Sequence, residues 1–222
     1  MKVKLISYSN ADTSLLENGI EDMQDLVAFC ARVSNPSNQF NTDTSEKLIT
    51  YLVNNKHWSP LEMVSACLEI ETTRDIARQM LRHRSFSFQE FSQRYADPTK
   101  DLEFVLREAR LQDTKNRQNS LQTNDEQLKN KWIEKQQYII TAAKNAYAWA
   151  IENGIAKEQA RAVLPEGNTV SRLYMNGTLR SWIHYIELRS SHGTQKEHIE
   201  VARACANVIS SVFPMALKYS ER

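Results

Sequence analysis

The sequence predicts a helix-rich α+β fold with a small antiparallel sheet. Short segments that alternate apolar and polar residues occur at the N-terminus, over 64–71 and over 169–175. Most other apolar residues recur at helical spacing. Glycine and proline are scarce, with five of each in 222 residues, so long segments are free to form helices. This length suits one domain, which we expect to span residues 1–222.

The first half of the chain is expected to contain two strands and three helices. Val3 and Leu5 alternate with lysines in an opening strand, and helices are expected over 22–32 and 44–56. A half-buried strand over 64–71 leads into the third helix. Thr72 and Thr73 are plausible caps for that helix, which is expected to reach about residue 84.

The second half is expected to be mostly helical. Residues 100–130 are polar, and the pattern fits a loop, an insertion or a solvated helix. A long helix over 125–152 should end at the Asn-Gly pair that follows it, and a short helix from Lys157 should end before Pro165. A strand over 169–175 is expected to turn at Asn176-Gly177, and two further helices are expected over 178–189 and 194–213.

Composition and charge exclude several classes of protein. The five glycines are at least ten positions apart, which excludes both the Gly-x-Gly-x-x-Gly dinucleotide loop and the Walker phosphate loop. A net charge of +1 provides no overall basic field for nucleic acid. No apolar run approaches the roughly 18 residues of a membrane span, and the three cysteines have no zinc or redox spacing. We therefore expect no metal, no membrane span and a reducing, cytoplasmic location.

The strongest functional signal is an arginine-rich segment over 71–95 that contains no lysine. Its arginines are Arg74, Arg78, Arg82, Arg84 and Arg94. A guanidinium group presents a planar fork of donors that suits phosphate and carboxylate. On a helix over 73–84, three of these arginines share a polar half with Gln79 and His83, which also fits a solvated helix face. Residues 85–95 interleave aromatic rings with hydroxyls, an acid and an arginine, and this favours an ordered site for an oriented anion.

This segment resembles the signature of the flavin-dependent thymidylate synthases. The resemblance rests on Arg82-His83-Arg84, seven further residues and then Ser92-Gln93-Arg94-Tyr95. Three other segments are similar to elements of the same family: His57-Trp58-Ser59-Pro60, Ala160-Arg161-Ala162-Val163-Leu164-Pro165 and Leu188-Arg189. The resemblance extends over nearly the whole chain.

The resemblance implies an enzyme that makes dTMP from dUMP. In that family 5,10-methylenetetrahydrofolate supplies one carbon, and NADPH supplies electrons through bound FAD. The family is homotetrameric, with active sites built by several subunits, and no nucleic acid is expected as a partner. It uses no cysteine nucleophile, which agrees with the apolar or strand contexts of Cys30, Cys67 and Cys205.

The resemblance also assigns residues to ligands. Arg189 matches the arginine credited with polarising the uracil ring and favouring loss of its N3 proton. The residues expected to bind FAD are His57, Ser59, Arg82, His83, Arg84, Glu90, Thr178, Leu179, Arg180 and His184. The residues expected to bind dUMP are Gln79, Met80, Leu81, Arg82, Glu90, Phe91, Ser92, Gln93, Arg94, Arg161 and Arg189. Ser92 is expected to bind an anion, because no nearby Ser-His-acid order would activate it as a nucleophile.

The helix expected over 178–189 carries two separate stripes. Arg189 falls beside Trp182 and Tyr185, while Arg180 and His184 form the other stripe. Two functional faces on one helix fit a helix that lies between active sites of an oligomer.

Two other interpretations remain open at this point. The chain could be a different flavin and folate enzyme that methylates uridine in RNA, although that would need a broad basic surface. It could also be a binding module whose arginine helix holds nucleic acid, which predicts steep salt dependence and no bound chromophore.

Overall fold

The computed structural model describes residues 1–221, and its centre is a four-stranded antiparallel sheet. The strands are β1 (Lys2–Tyr8), β2 (Ser65–Thr73), β3 (Ser87–Glu90) and β6 (Val170–Thr178), in the order β1-β2-β6-β3. A separate antiparallel hairpin pairs β4 (Arg110–Gln112) with β5 (Ser120–Gln122). The expected α+β fold with a small antiparallel sheet is confirmed.

The α-helices form about half of the rest of residues 1–221. They are α1 (Thr13–Leu16), α2 (Met23–Ala31), α3 (Ser45–Asn54), α4 (Arg74–Met80), α5 (Pro98–Asp101), α6 (Glu126–Glu152), α7 (Lys157–Ala160), α8 (Leu179–Ser190) and α9 (Lys196–Ile209). Short 3₁₀ turns occur at Pro36–Asn38, Ser59–Glu62, Arg161–Val163 and Pro214–Tyr219. Among residues 1–221, no helix is both long enough and apolar enough to cross a membrane.

The core lies on one face of the sheet. Ala66, Leu68 and Ile70 of β2 are buried there, as their alternation predicted, and α4, α8 and α9 pack against β1, β2 and β6. Each fully buried aliphatic side chain of this kind stabilises the fold by about 1.5–3 kcal/mol. On the other face, Glu69 and Glu71 form ion pairs with lysines of β1.

Aromatic packing fixes α8 against the sheet. The indole of Trp182 is 1% exposed and donates a hydrogen bond to the Ala66 carbonyl at 3.0 Å. The ring of Phe86 lies edge-on to Trp182, with centroids 4.8 Å apart, and is 6.0 Å from the ring of Tyr185. These contacts hold the turn before β3 and the first half of α8 in one place.

The expected turn at Asn176-Gly177 is wrong. Strand β6 continues to Thr178, and both residues pair with β2. A Cβ atom on Gly177 would lie 2.4 Å from Cδ1 of Phe86. Glycine is therefore required here because an aromatic ring packs directly on the strand backbone, and not because the chain reverses.

The helix expected over 73–84 is shorter than its polar pattern suggests. Helix α4 ends at Met80, and a turn over 81–86 redirects the chain into β3. Pairing of β3 with β6 outweighs the local helical pattern at this point. Arg74, which the pattern placed on a polar half, is only 7% exposed.

Two other boundaries also differ from the sequence-based expectation. The polar segment over 100–130 contains the end of α5, the β4–β5 hairpin and the start of α6, and its Arg107 forms ion pairs with Asp75 and Glu197. The last helix ends at Ile209 rather than at 213, and a 3₁₀ turn begins at Pro214, which cannot donate a helical hydrogen bond.

Candidate active site

The predicted site residues form three groups within one chain. The polarising group contains Gln79, Arg82, His83 and Arg189. The loop group contains Glu90, Ser92, Arg94 and Arg161. The α8-start group contains His57, Ser59, Arg180 and His184. The fold brings together the members of each group from distant parts of the sequence.

Arg189 is oriented by His83 in the polarising group. Nε of Arg189 donates a hydrogen bond to Nε2 of His83 at 2.9 Å, so Nε2 carries no proton. Burial, reinforced by the charges of Arg189 and Arg82, lowers the pKa of His83 to about 4 and keeps the ring neutral. The His83 ring is edge-on to Tyr185, with centroids 4.9 Å apart. The guanidinium group is thus held at one end by a neutral acceptor.

Gln79 is oriented by a directional chain of hydrogen bonds. Nδ1 of His198 donates to Oε1 of Gln79 at 3.2 Å, because an amide oxygen only accepts. Nε2 of His198 therefore accepts from the Tyr185 hydroxyl at 3.1 Å. Nε2 of Gln79 donates to Oε1 of Gln195 at 2.9 Å, and Gln195 in turn donates to Glu197. Both oxygen and nitrogen of the Gln79 side chain are consequently fixed.

His198 belongs to the site but was not among the residues predicted from the sequence. It is fully buried, and burial together with the nearby charge of Arg189 lowers its pKa to about 3, so it is neutral. It lies on the apolar stripe of α9 with Val201, Ala202 and Cys205. A single polar residue in that stripe was the only available signal, and its partner could not be read from the sequence.

The loop group is built around an ion pair at the sheet edge. Glu90 accepts a hydrogen bond from the Ser171 hydroxyl at 2.7 Å and pairs with the buried Arg74 at 3.4 Å. Burial lowers the pKa of Arg74, and the Glu90 carboxylate opposes that effect. Because Arg74 approaches Glu90 from the protein side, it fixes the carboxylate that the resemblance assigns to both ligands.

The signature loop after β3 rests against α7. Nε of Arg94 pairs with Glu158 at 3.0 Å, and Nε of Arg161 donates to the backbone carbonyl of the same glutamate at 3.2 Å. The Ser92 hydroxyl accepts from the Arg94 amide at 3.3 Å. Gln93 is 4% exposed, and its Nε2 has no hydrogen-bond partner among the described residues. The loop therefore presents cations, a hydroxyl and an unused donor close together.

The α8-start group joins two segments that are far apart in sequence. The ring of His184 lies edge-on to Trp58, with centroids 4.3 Å apart. Arg180 pairs with Glu62 at 2.6 Å, and the Thr178 side chain caps α8 by accepting from the Ser181 amide. The two stripes expected on α8 are thus observed, one toward His83 and one toward the 57–62 turn.

The remaining assigned residues occupy different environments. Met80 and Leu179 are fully buried in the core, so only their backbones are available to a ligand. Leu81 and Phe91 are half-buried. Arg82 and Arg84 are exposed, and neither forms an ion pair with another residue of 1–221. Unpaired cations at this position suit a ligand that carries a pyrophosphate.

The cysteines and acidic residues do not form a reactive thiol or a metal site. Burial raises the pKa of Cys30, Cys67 and Cys205, which disfavours the thiolate form of each. Within residues 1–221 there is no group of three or more His, Cys, Asp or Glu side chains that could hold a metal ion.

Comparisons with known proteins show similarity over nearly the whole chain. Residues 15–215 match the family described as thymidylate synthase complementing protein. The chain is 47% identical over 218 residues to the probable flavin-dependent thymidylate synthase of Paramecium bursaria Chlorella virus 1, which covers 98% of each chain. It is also 47% identical over 215 residues to the flavin-dependent thymidylate synthase of Synechocystis sp., which covers 96% of each chain.

A solved structure shows the same fold. The UMP/dUMP methylase PolB from Streptomyces cacaoi, bound with 5-Br dUMP, superposes with a TM-score of 0.80 at 24% identity, over 98% of this chain and 93% of that one. The family match spans almost the whole chain, and the signature residues lie together in the polarising and loop groups. This chain therefore belongs to the flavin-dependent thymidylate synthase family.

Proposed function

We propose that this protein converts dUMP to dTMP, taking one carbon from 5,10-methylenetetrahydrofolate and electrons from NADPH through FAD. The observation that carries the proposal is the pair formed by Arg189 and the neutral His83, beside the fixed amide of Gln79. This is an arrangement that polarises a ring carbonyl and reads a pyrimidine edge without a thiol.

Arg189 is the residue to which we assign polarisation of the uracil ring. Negative charge that develops on the pyrimidine as the N3 proton leaves is stabilised by a guanidinium group in a fixed position. His83 fixes that position because its Nε2 accepts a hydrogen bond from Nε of Arg189. Among residues 1–221, no hydrogen bond involves the Nη atoms of Arg189. Because His83 is uncharged, it orients the guanidinium group without neutralising it. The full positive charge therefore faces the substrate.

The residues present fit a bound FAD. Arg82 and Arg84 are exposed cations without ion pairs in the described chain, and they suit its pyrophosphate. His184 adds an imidazole group that lies against Trp58, and His57 and Ser59 are the neighbours of Trp58 in the chain. When bound, FAD supplies the redox chemistry of the reaction.

The dUMP phosphate is assigned to the loop group. Arg94 and Arg161 both approach Glu158, and Ser92 lies beside them with the unpartnered amide of Gln93. A dianionic phosphate would compete with Glu158 for Arg94, since a charge-assisted bond to phosphate is stronger than an exposed ion pair.

We further propose that the active enzyme is a homotetramer whose sites combine groups from different copies. The polarising and loop groups each hold part of the expected dUMP contacts, and no hydrogen bond or ion pair joins the side chains of one group to the other. Helix α6 also exposes large aromatic side chains, with Trp132, Tyr138 and Trp149 at 43%, 73% and 60% exposure. Apolar surface of this kind marks an interaction site. The three unpaired cysteines fit a cytoplasmic location.

Tritium release from dUMP labelled at C5 tests the proposed reaction. The purified, yellow protein is expected to release tritium only when FAD, NADPH and methylenetetrahydrofolate are all present. Replacing dUMP with an oligonucleotide that contains uridine should give no methylated product. Absence of release from flavin-loaded protein with every co-substrate supplied would contradict the proposal, and release from the oligonucleotide would point to an RNA methyltransferase instead.

A further inference from the structure

A polar cleft of about 670 Å³ lies between the β4–β5 hairpin and the turn that joins α8 to α9. One wall begins at Ser190, the residue that follows Arg189. Another part of the wall is Gln195, whose side chain accepts the hydrogen bond from Gln79. The cleft therefore borders the polarising group without containing its members.

The charge of this cleft is one-sided. None of its lining residues is acidic, whereas the basic ones are Arg110, Arg117, His192, Lys196 and Arg203. Arg110 and Lys196 are paired with Glu108 and Glu197 from outside the cleft. The side chains of Arg117, His192 and Arg203 are exposed, and none forms an ion pair or side-chain hydrogen bond with other residues of 1–221. The unpaired guanidinium groups of Arg117 and Arg203 create a local potential that attracts anions even when the whole protein is nearly neutral.

Two sets of neutral donors point to the same kind of ligand. Ser190 is 5% exposed and its hydroxyl has no hydrogen-bond partner in the described chain. A buried hydroxyl without a hydrogen-bond partner is unfavourable unless a ligand supplies that partner. The N-terminus of α9, a helix of 14 residues, has no side-chain cap. The Lys196 amide at this end has no hydrogen-bond partner among residues 1–221, whereas the His198 amide donates to the Gln195 carbonyl. Helix N-termini favour negative charge.

We propose that this cleft binds the anionic end of a co-substrate, through Arg117, Arg203 and the start of α9. The inference rests on the proposed function, because that function requires two co-substrates with anionic ends. These ends are the phosphates of NADPH and the glutamyl carboxylates of the folate, which share the chemistry of several oxyanions on a flexible arm. Because Ser190 lines the cleft and directly follows Arg189, a co-substrate anchored there would lie next to the polarising group.

A double variant, Arg117→Ala with Arg203→Ala, removes both unpaired guanidinium groups. Lys135→Ala is the matched control, since Lys135 is an exposed cation of α6 that lies outside the cleft and has no ion pair or side-chain hydrogen bond with other residues of 1–221. Flavin-loaded protein is titrated by calorimetry with adenosine 2′,5′-bisphosphate and with tri-γ-glutamate. In parallel, KM is measured for NADPH, NADH, dUMP, and the mono- and triglutamyl forms of methylenetetrahydrofolate. Flavin content and circular dichroism check that each variant is folded.

The double variant is expected to weaken one probe by about tenfold or more, since each charge-assisted bond contributes roughly that factor. Weaker binding of adenosine 2′,5′-bisphosphate, together with a higher KM for NADPH but not for NADH, assigns the cleft to the dinucleotide. Weaker binding of tri-γ-glutamate, together with a higher KM for the triglutamyl but not the monoglutamyl folate, assigns the cleft to the folate. The Lys135→Ala variant should remain within about twofold of wild type, as expected for a remote exposed charge.

Three outcomes would overturn the inference. They are a wild-type protein that binds neither probe, a double variant that binds both as tightly as wild type, and a change confined to the KM for dUMP. The titrations need no turnover, so they separate this inference from the proposed reaction. A protein that releases no tritium but loses probe binding in the double variant would refute the reaction and support the anion site.

Discussion

The buried bond between Tyr185 and His198 gives a quantitative prediction for stability and substrate binding. Both side chains are 1% exposed or less, and the Tyr185 hydroxyl donates to His198 at 3.1 Å. The substitution His198→Leu preserves much of the side-chain volume but removes this acceptor. A buried hydroxyl left without a partner costs about 1–3 kcal/mol. Oε1 of Gln79 also loses its donor, but Gln79 is half-buried and water can replace that bond.

The free energy of unfolding is therefore expected to fall by about 1–3 kcal/mol in His198→Leu, and by a similar amount in Tyr185→Phe. The double variant leaves neither group of the pair unpaired, so its loss should be smaller than the sum of the two single losses by about 1 kcal/mol or more. Urea unfolding at fixed protein and flavin concentrations measures these differences, since ligand binding changes apparent stability.

The matched control is Tyr147→Phe. Tyr147 is also 1% exposed, but its hydroxyl has no hydrogen-bond partner among the described residues, so this change should be neutral or slightly stabilising. Because Gln79 loses its orientation in His198→Leu, the KM for dUMP should rise while flavin content is retained. Additive single losses, or a His198→Leu variant within about 0.5 kcal/mol of wild type, would refute the reasoning.

Four further predictions follow from other contacts. Gly177→Ala should destabilise the protein by about 1–3 kcal/mol, because the new Cβ would lie 2.4 Å from Phe86. Gly167→Ala is the control and should change thermal stability little, because its Cβ would have no atom within 4 Å. Equal melting temperatures of the two variants would contradict this prediction. Arg189→Lys should reduce turnover about 100-fold or more while flavin is retained. The control Arg172→Lys, on the outer face of the sheet, should not reduce turnover. Loss of flavin with unchanged turnover per bound flavin would make Arg189 a cofactor anchor instead. Replacing Cys30, Cys67 and Cys205 by alanine or serine should leave tritium release possible, and a single replacement that abolishes it in folded, flavin-loaded protein would disprove a thiol-free reaction. The pKa values of His198 and His83 are lowered from the ordinary value of 6.5 to about 3 and about 4. Below pH 6.5 the unfolded chain therefore binds more protons than the folded protein. The free energy of unfolding should fall as the pH drops from 6.5 toward about 4. The loss is about 1.4 kcal/mol per pH unit for each proton taken up, and His198→Leu should show a shallower decline; an unchanged slope would be inconsistent with a neutral buried His198.

Local patterns were sufficient where one element decides its own structure. The alternation in β2 predicted which face is buried, and Asp125 caps α6 through a hydrogen bond to the Leu128 amide. Gly154 follows that helix with a φ of +77°, the left-handed conformation in which glycine is favoured. The two stripes of α8 also followed from helical geometry, because its residues project at fixed angles.

Local patterns failed where a distant partner decides the structure. The pair Asn176-Gly177 is typical of a turn, but pairing with β2 extends the strand through it. Arg74 has the charge of a surface residue, but it lies buried on α4 against Glu90 of β3. For Asn176-Gly177, pairing along the whole of β2 and β6 outweighs a local preference of about 1 kcal/mol or less per residue. For Arg74, the ion pair with Glu90 offsets the cost of removing a guanidinium group from water.

By itself, the sequence determined the fold class and the resemblance to a family, and it predicted a set of charged residues that face ligands. These properties depend on composition, periodicity and motif spacing, which are local along the chain. Only the tertiary structure decided that Arg189 contacts His83, that His198 orients Gln79, and that Arg117 and Arg203 of the cleft beside α9 have no ion pair within residues 1–221. The first two contacts join residues about a hundred or more positions apart, and the absence of ion pairs depends on where the acidic residues lie in the fold. No short stretch of sequence contains either kind of information.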